Sequence, residues 1–389
     1  MGLAVEEIDI ATTALPAEVT RRAERAGFKA VPTGIEHGTV TVVVNGRPFE
    51  VTTLREDIET DGRRAVVRFG RSFEADAARR DFTMNALSLD RDGKLHDEVG
   101  GLADIAARRV RFIGDAGQRI AEDYLRILRF FRFHASYAAG RLDERGFAAA
   151  IRLRDGLRGL SAERLRDELL KLLAAPGAVA TAGQMLEGGI WPLLLHGVPH
   201  VSRFAAFVER DQAGKHGETG PLPRLAALAV ATAEDAARLR ETLRLSNPET
   251  ALLGKIARAL ECLHGWPGRA KEASFATSLT RLVLDLGARP VSLALSIEAQ
   301  GAGTNEVNAL LSRVGAVPAF PLSGADLLRR GMRPGPQVGR ILALAREAWI
   351  AASCPLDAPA LAAIVESAMR GERTGRLCPA GSESSDESA

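Results

Sequence analysis

Three short stretches of this 389-residue chain collect side chains able to hold phosphates, metal ions and bases. Arg79 to Ala86 reads RRDFTMNA and sets two guanidiniums, a carboxylate and a carboxamide close together. A polyphosphate carries several negative charges, and Arg can grip it bidentately. Glu122 to Arg126 reads EDYLR, with Asp123 and Arg126 spaced for one helical turn. Cytosine and adenine both show an exocyclic amine beside an unprotonated ring nitrogen. A carboxylate can accept from the amine while a guanidinium donates to the ring nitrogen. Uracil and guanine reverse both groups, so the same pair refuses them. Finally, Glu7 and Asp9 alternate within VEEIDIAT, and Glu50 sits in FEVTT. Carboxylates two apart on a strand face one side, and hard divalent cations take such oxygens.

Each stretch also has an ordinary reading. Acidic residues separated by one position are more often solvated surface charge, and RRD can be a salt-bridged turn ahead of a buried segment. The arginines on the helix could simply face water. Against that, Ala121 to Tyr137 is apolar around most of its circumference, through Leu125, Ile127, Leu128, Phe130, Phe131 and Phe133. Arg126, Arg129 and Arg132 form a stripe on it at intervals of three. Charges on a largely buried helix must be paired or line an internal groove.

The elements expected to position these groups change along the chain. Thr39 to Val44 and Pro48 to Leu54 read as strands around Asn45-Gly46, a two-residue turn signal. Val5, Ile8 and Ile10 argue for another short strand under Glu7 and Asp9. From about residue 101 to 370 the text is helical, so the expected class is α+β: a small α/β head, then an elongated all-helical neck and body. Ser161 is the expected N-cap of a helix in LSAERLRDELLKLL, with Glu163 in its first turn. Breaks are expected near 156–161, 214–223, 265–268 and 301–303, and a disordered tail over 371–389.

Composition adds limits. Hydrophobic residues make up 46% of the chain, enough for more than one core. The net charge of +2 advertises no polyanionic partner, although 45 of the 51 basic residues are Arg. Cys262, Cys354 and Cys378 are too scattered for a disulfide framework. With no membrane-spanning apolar run and no signal peptide in the text, the expected compartment is cytoplasmic, with no membrane association.

The RRDFTMNA and EDYLR motifs, in this order, resemble those of class II tRNA nucleotidyltransferases, the CCA-adding enzymes and their poly(A) polymerase relatives. The likeness runs from about Glu7 to Lys171 and includes the ATxALP-like text at Ala11 to Pro16, the connector LHDEVGGLADI and the neck motif SAERLRDE. It implies a nucleotidyltransferase head of polymerase-β type over 1–100 and a neck with the nucleotide-selecting helix over 101–175. A tRNA-binding helical body would follow over 176–370. Asp9, Glu50 and Glu7 would be catalytic, with Glu7 and Asp9 holding Mg²⁺. Arg80 and Asn85 would touch sugar or phosphate, and Asp81 a ribose hydroxyl. Asp123, Arg126, Arg129 and Arg132 would complete the nucleotide site. The implied partners are tRNA, CTP and ATP, with no protein partner expected.

Departures from the family pattern set the alternatives. Glu7 stands where the family has Asp, one methylene shorter. A strand and a glycine-rich GGxVRD turn precede the acidic pair in the family, and the few residues before Glu7 leave no room for them. The expectation is a start codon set too far downstream, or a head with part of its phosphate grip lost. The motifs fit addition of C, C and A to tRNA 3′ ends, addition of A alone, or tRNA binding with weak catalysis. Asp61-Gly62-Arg63-Arg64 reads either as a flexible switching loop or as a hairpin tip. Phe320 to Arg340 is a candidate tRNA-backbone surface.

Overall fold

The computed structural model describes residues 8–61, 64–213 and 220–373. The alternation around Asn45-Gly46 is realised as two antiparallel strands, β3 and β4 below, joined by that turn. Asn45 and Gly46 both take positive φ, 51° and 77°, as a tight hairpin turn requires. Four strands form the head sheet: β1 (Asp9–Thr12), β2 (Lys29–Gly34), β3 (Thr39–Val44) and β4 (Arg47–Thr53). Their order is β1-β4-β3-β2, with β1 parallel to β4 and the others antiparallel. Between β1 and β2 runs α1 (Pro16–Arg25), started by Pro16, whose missing N–H costs nothing in a first turn. Val19 and Ala23 of α1 pack on Val40 and Val42 of β3. One sheet face is therefore closed by α1, and alternation sends the polar set to the other.

A hairpin, β5 (Arg55–Asp61) with β6 (Arg64–Phe69), follows the sheet. Its turn residues Gly62 and Arg63, and so the choice between switching loop and hairpin tip, lie outside the described residues. Next come α2 (Phe73–Ala78), a small two-stranded pair, β7 (Ser88–Leu89) with β8 (Leu95–His96), and α3 (Gly101–Ala106). Asp97 begins α3 by accepting from the N–H groups of Gly101 and Leu102, at 2.7 and 2.9 Å. Asp104 on α3 is fully buried and accepts from Thr83 Oγ1 (2.7 Å), Arg109 Nε (2.8 Å) and Arg111 Nε (2.9 Å). Burial acts to raise its pKa, but Thr83 and the two guanidiniums outweigh burial and hold it below the usual carboxylate range. Asp104→Asn should therefore cost about 3 kcal/mol in urea unfolding at neutral pH, as for a broken buried ion pair. Because the folded-state pKa is depressed, this contribution is full above the ordinary carboxylate range. It fades as pH falls through the folded value, so variant and parent should converge in acid.

The neck is built from α4 (Ala116–Glu122), α5 (Leu125–Tyr137), α6 (Glu144–Arg152) and α7 (Ala162–Ala174). The expected continuous helix from Ala121 is corrected here: Asp123, with φ −155° and ψ 107°, is extended and separates α4 from α5. Phe82, fully buried, ties the RRDF loop to the neck. Its ring lies 4.9 Å from that of Phe112 and 5.2 Å from that of Phe133. Ser161 takes the N-cap position of α7 as expected, with Glu163 in the first turn, but its side chain makes no capping bond.

Contacts divide the chain into two units, residues 1–230 with 234–250, and 231–233 with 251–389. The second is helical among the described residues. One of its cores gathers Leu327, Ile341, Trp349 and Val365, and Trp349 donates from Nε1 to Pro355 O at 2.8 Å. In the Phe320 to Arg340 stretch, Ser323 and Asp326 form a capping box for the helix Gly324–Arg329. Bonds from Ser323, with Arg329 beside it, hold the Asp326 carboxyl down to about 2. Arg330 and Arg333 are exposed. No described helix is long and apolar enough to cross a membrane. The tail expected to be disordered lies mostly outside the described residues, from 374 onward.

Candidate active site

The open face of the head sheet brings two of the sequence-predicted acids together. Asp9 on β1 is the register partner of Glu50 on β4, and Glu50 in turn faces Thr41 on β3. Directly paired residues share a face, with adjacent strands about 4.8 Å apart. Around them the surface is lined with hydroxyls: Thr39 bonds Thr52 at 3.0 Å and Thr33 bonds Thr41 at 2.7 Å. Asp9 and Glu50 are exposed, and no described residue pairs with either carboxylate. Glu7 lies outside the described residues. Among the described residues no cluster of three or more His, Cys, Asp or Glu is placed to hold a metal. Two neighbouring carboxylates nevertheless fit Mg²⁺, which takes one or two carboxylates and completes its shell with water and substrate phosphates.

The RRD loop is fastened by an acid outside the expected site residues. Asp76, buried on α2, binds Arg79 through Oδ1 (Nη2 at 2.6 Å) and Arg80 through Oδ2 (Nη2 at 3.1 Å). Burial acts to raise its pKa, but the two guanidiniums outweigh this and hold it low. Its spacing of three and four residues before the arginines was the available signal. Arg79 Nε also donates to Arg55 O, which links this loop to the start of β5. Arg80 donates from Nη1 to Asn85 O at 3.0 Å and keeps 41% of its side chain exposed.

Asp81 turns inward. Its Oδ1 accepts from Phe82 N and Asn85 Nδ2, both at 2.9 Å, and its Oδ2 accepts from Arg129 Nε at 2.7 Å. The carboxylate, carboxamide and guanidinium expected to contact nucleotide are thus joined in one network across the RRD loop and α5.

On the neck, each arginine of the stripe has an acidic partner. Arg126 pairs with Glu122 and donates to Arg119 O at 2.9 Å. Arg129 serves Asp81 and reaches Glu168 at 3.8 Å. Arg132 donates to Glu168 Oε2 at 2.5 Å, and its guanidinium lies 4.3 Å from the centre of the Phe133 ring. Glu168, on α7 and buried, closes the neck motif SAERLRDE and lies outside the expected nucleotide-binding set.

The expected direct relation of Asp123 and Arg126, one turn apart on a single helix, is corrected. Asp123 sits at the break before α5. Its Oδ2 accepts from Arg164 Nη2 at 2.7 Å, and its Oδ1 from Leu125 N at 3.1 Å. Both carboxylate oxygens retain a second lone pair, and the described bonds of Arg126 use only Nη1. The carboxylate and guanidinium of the expected base-reading pair are therefore held by internal partners without being exhausted.

Comparison with known proteins extends this likeness over nearly the full chain. Residues 1–111 match the poly A polymerase head domain, and residues 141–203 match the probable RNA and SrmB-binding site of polymerase A. The mitochondrial CCA tRNA nucleotidyltransferase 1 of Danio rerio is 35% identical over 90% of this chain and 80% of its own length. A CCA-adding enzyme of Levilactobacillus brevis is 31% identical, covering 94% of this chain and 90% of that one. Among solved structures, the Bacillus stearothermophilus CCA-adding enzyme in complex with CTP aligns with a TM-score of 0.71. The identity is 25%, over 96% of this chain and 91% of that one.

Proposed function

The chain belongs to the family of CCA tRNA nucleotidyltransferases and poly(A) polymerases, and on that premise we propose that it adds C, C and A to tRNA 3′ ends. CTP and ATP would be the nucleotide donors and pyrophosphate the released product. The observation that carries the reading is the half-buried pair Asp123 and Arg126, each with bonding capacity left for a base edge. Asp123 would accept from the exocyclic amine and Arg126 would donate to the ring nitrogen. Arg80 and Asn85 would contact sugar and phosphate, and Asp81 would accept from a ribose hydroxyl. Arg129 and Arg132 would help to neutralise the phosphates while Glu168 keeps their forks aligned. Asp9 and Glu50 would hold Mg²⁺, which when bound polarises phosphate oxygens and lowers the charge opposing attack by a 3′-hydroxyl.

The deciding experiment offers a tRNA lacking its last three nucleotides, with CTP alone, ATP alone, or both. Three residues added in the order C, C, A support the reading. Addition of A alone, or of long A tracts, favours the poly(A)-type alternative within the same family. Binding of the tRNA with no extension by either nucleotide favours a binding protein. Asp9→Asn should lower kcat for addition by about a thousandfold, because a metal-holding carboxylate is lost. Its thermal midpoint should stay within a degree or two, since an exposed side chain carries little of the stability. A variant that keeps parental kcat would remove Asp9 from the catalytic set.

A further inference from the structure

Between the connector that follows α3, the start of α4 and one face of α6 lies a cleft of about 610 Å³. That volume falls within the range of small-molecule sites, roughly 300–1,000 Å³. None of the side chains assigned above to sugar, phosphate or base lines it. Its apolar part comes from Val99, Ile113 and Ala148, and its cationic part from Arg111, Arg145 and Arg152. Two acids, Asp115 and Asp143, also line it and are turned to backbone N–H groups. Asp115 accepts from Gln118 N at 2.7 Å to start α4, and Asp143 accepts from Gly146 N at 2.9 Å to start α6.

The arginines are a different matter. Arg111 is tied to the buried Asp104, whereas Arg145 and Arg152 are exposed, and no described residue pairs with either. Throughout the neck stripe, by contrast, every guanidinium has an acid. Forked cations left open beside an apolar wall, in a cleft of this size, match a phosphate group attached to a compact organic body. We propose that the cleft is a second binding site, for a phosphorylated small molecule of nucleotide size. It stands apart from the nucleotide site of the proposed reaction. Arg145 and Arg152 hold the phosphate, and Val99, Ile113 and Ala148 cover the apolar part.

The cleft wall also touches the proposed nucleotide site through backbone. Ile113 N donates to Asp81 O at 3.1 Å, and Thr83 N donates to Arg111 O at 3.0 Å. The loop that carries Asp81 therefore reaches the cleft two residues on, where Thr83 lines it.

The test is the stoichiometry of ATP binding to the full chain by equilibrium dialysis. Two ATP per chain are expected for the parent. Arg145→Gln/Arg152→Gln should bind one, with affinity at the lost site down about tenfold for each guanidinium removed. Both side chains are exposed and unpaired among the described residues, so the double variant should fold normally. A stoichiometry of two that survives the double substitution would overturn the proposal, as would a parent that binds one. If the double variant leaves ATP stoichiometry alone but weakens tRNA binding and flattens its salt dependence, the cleft holds an RNA backbone phosphate. That outcome also overturns the small-molecule assignment.

Discussion

Under the proposed function, Arg126→Ala should let UTP and GTP into the reaction beside CTP and ATP. In the proposed site Arg126 is the donor that the ring N–H of a wrong base would meet unfavourably, while the carbonyl of that base would face Asp123. Without it the ring N–H part of that penalty disappears along with the reward to the correct bases, and only the clash at Asp123 is left. Addition from CTP should slow by about a hundredfold and discrimination against UTP should drop by a similar or larger factor, as when a site built to hydrogen-bond its substrate loses one partner. The fold should tolerate the change, because Glu122 keeps Arg119 as a partner at 3.0 Å. The check is kcat/KM for all four nucleotides on a tRNA lacking its terminal trinucleotide. Full C and A selectivity in this variant would refute the role assigned to Arg126.

Gly156→Val should injure the same function from a distance. Gly156 sits in a 3-10 turn, Arg154–Gly159, and a Cβ built on it would lie 2.0–2.3 Å from the Tyr124 ring. The ring would have to leave, and Tyr124 is the residue between Asp123 and the first turn of α5. Overpacking of this kind costs about 1–3 kcal/mol. It should also shift the Asp123 carboxylate, so activity should drop tenfold or more, on the order expected when a reacting group is misplaced by an ångström. Removing the obstruction provides the control. Tyr124→Ala combined with Gly156→Val should be markedly more stable than the sum of the single losses predicts. Strict additivity in urea unfolding would show that the two residues do not press on one another.

The parts of this molecule that were readable from the chain are those set by local chemistry. The β3–β4 turn follows from Asn45-Gly46, whereas the joint face of Asp9 and Glu50 comes from the register of β1 on β4, which strand alternation alone does not set. Asp76 was readable too, three and four residues ahead of Arg79 and Arg80, although it was passed over. The break at Asp123 was not. AEDYLRILRFF contains neither Gly nor Pro, and what interrupts it is tertiary: Arg164 holds Asp123 from 41 residues away, and Tyr124 packs against Gly156. Glu168 was hidden for the same reason. It completes the charge of Arg132 across 36 residues, and nothing beside it in sequence announces that partner.

Those internal partners have a consequence for how the site meets a triphosphate. Arg119, Arg126, Arg129, Arg132 and Arg164 stand against Asp81, Glu122, Asp123 and Glu168, so the cluster has an excess of one positive charge before any ligand arrives. In the proposed site an incoming nucleotide would add phosphate oxygens to guanidiniums that keep their carboxylate partners, so the field it meets is already largely neutralised. Raising ionic strength should therefore disturb nucleotide binding here far less than it would at a bare row of arginines.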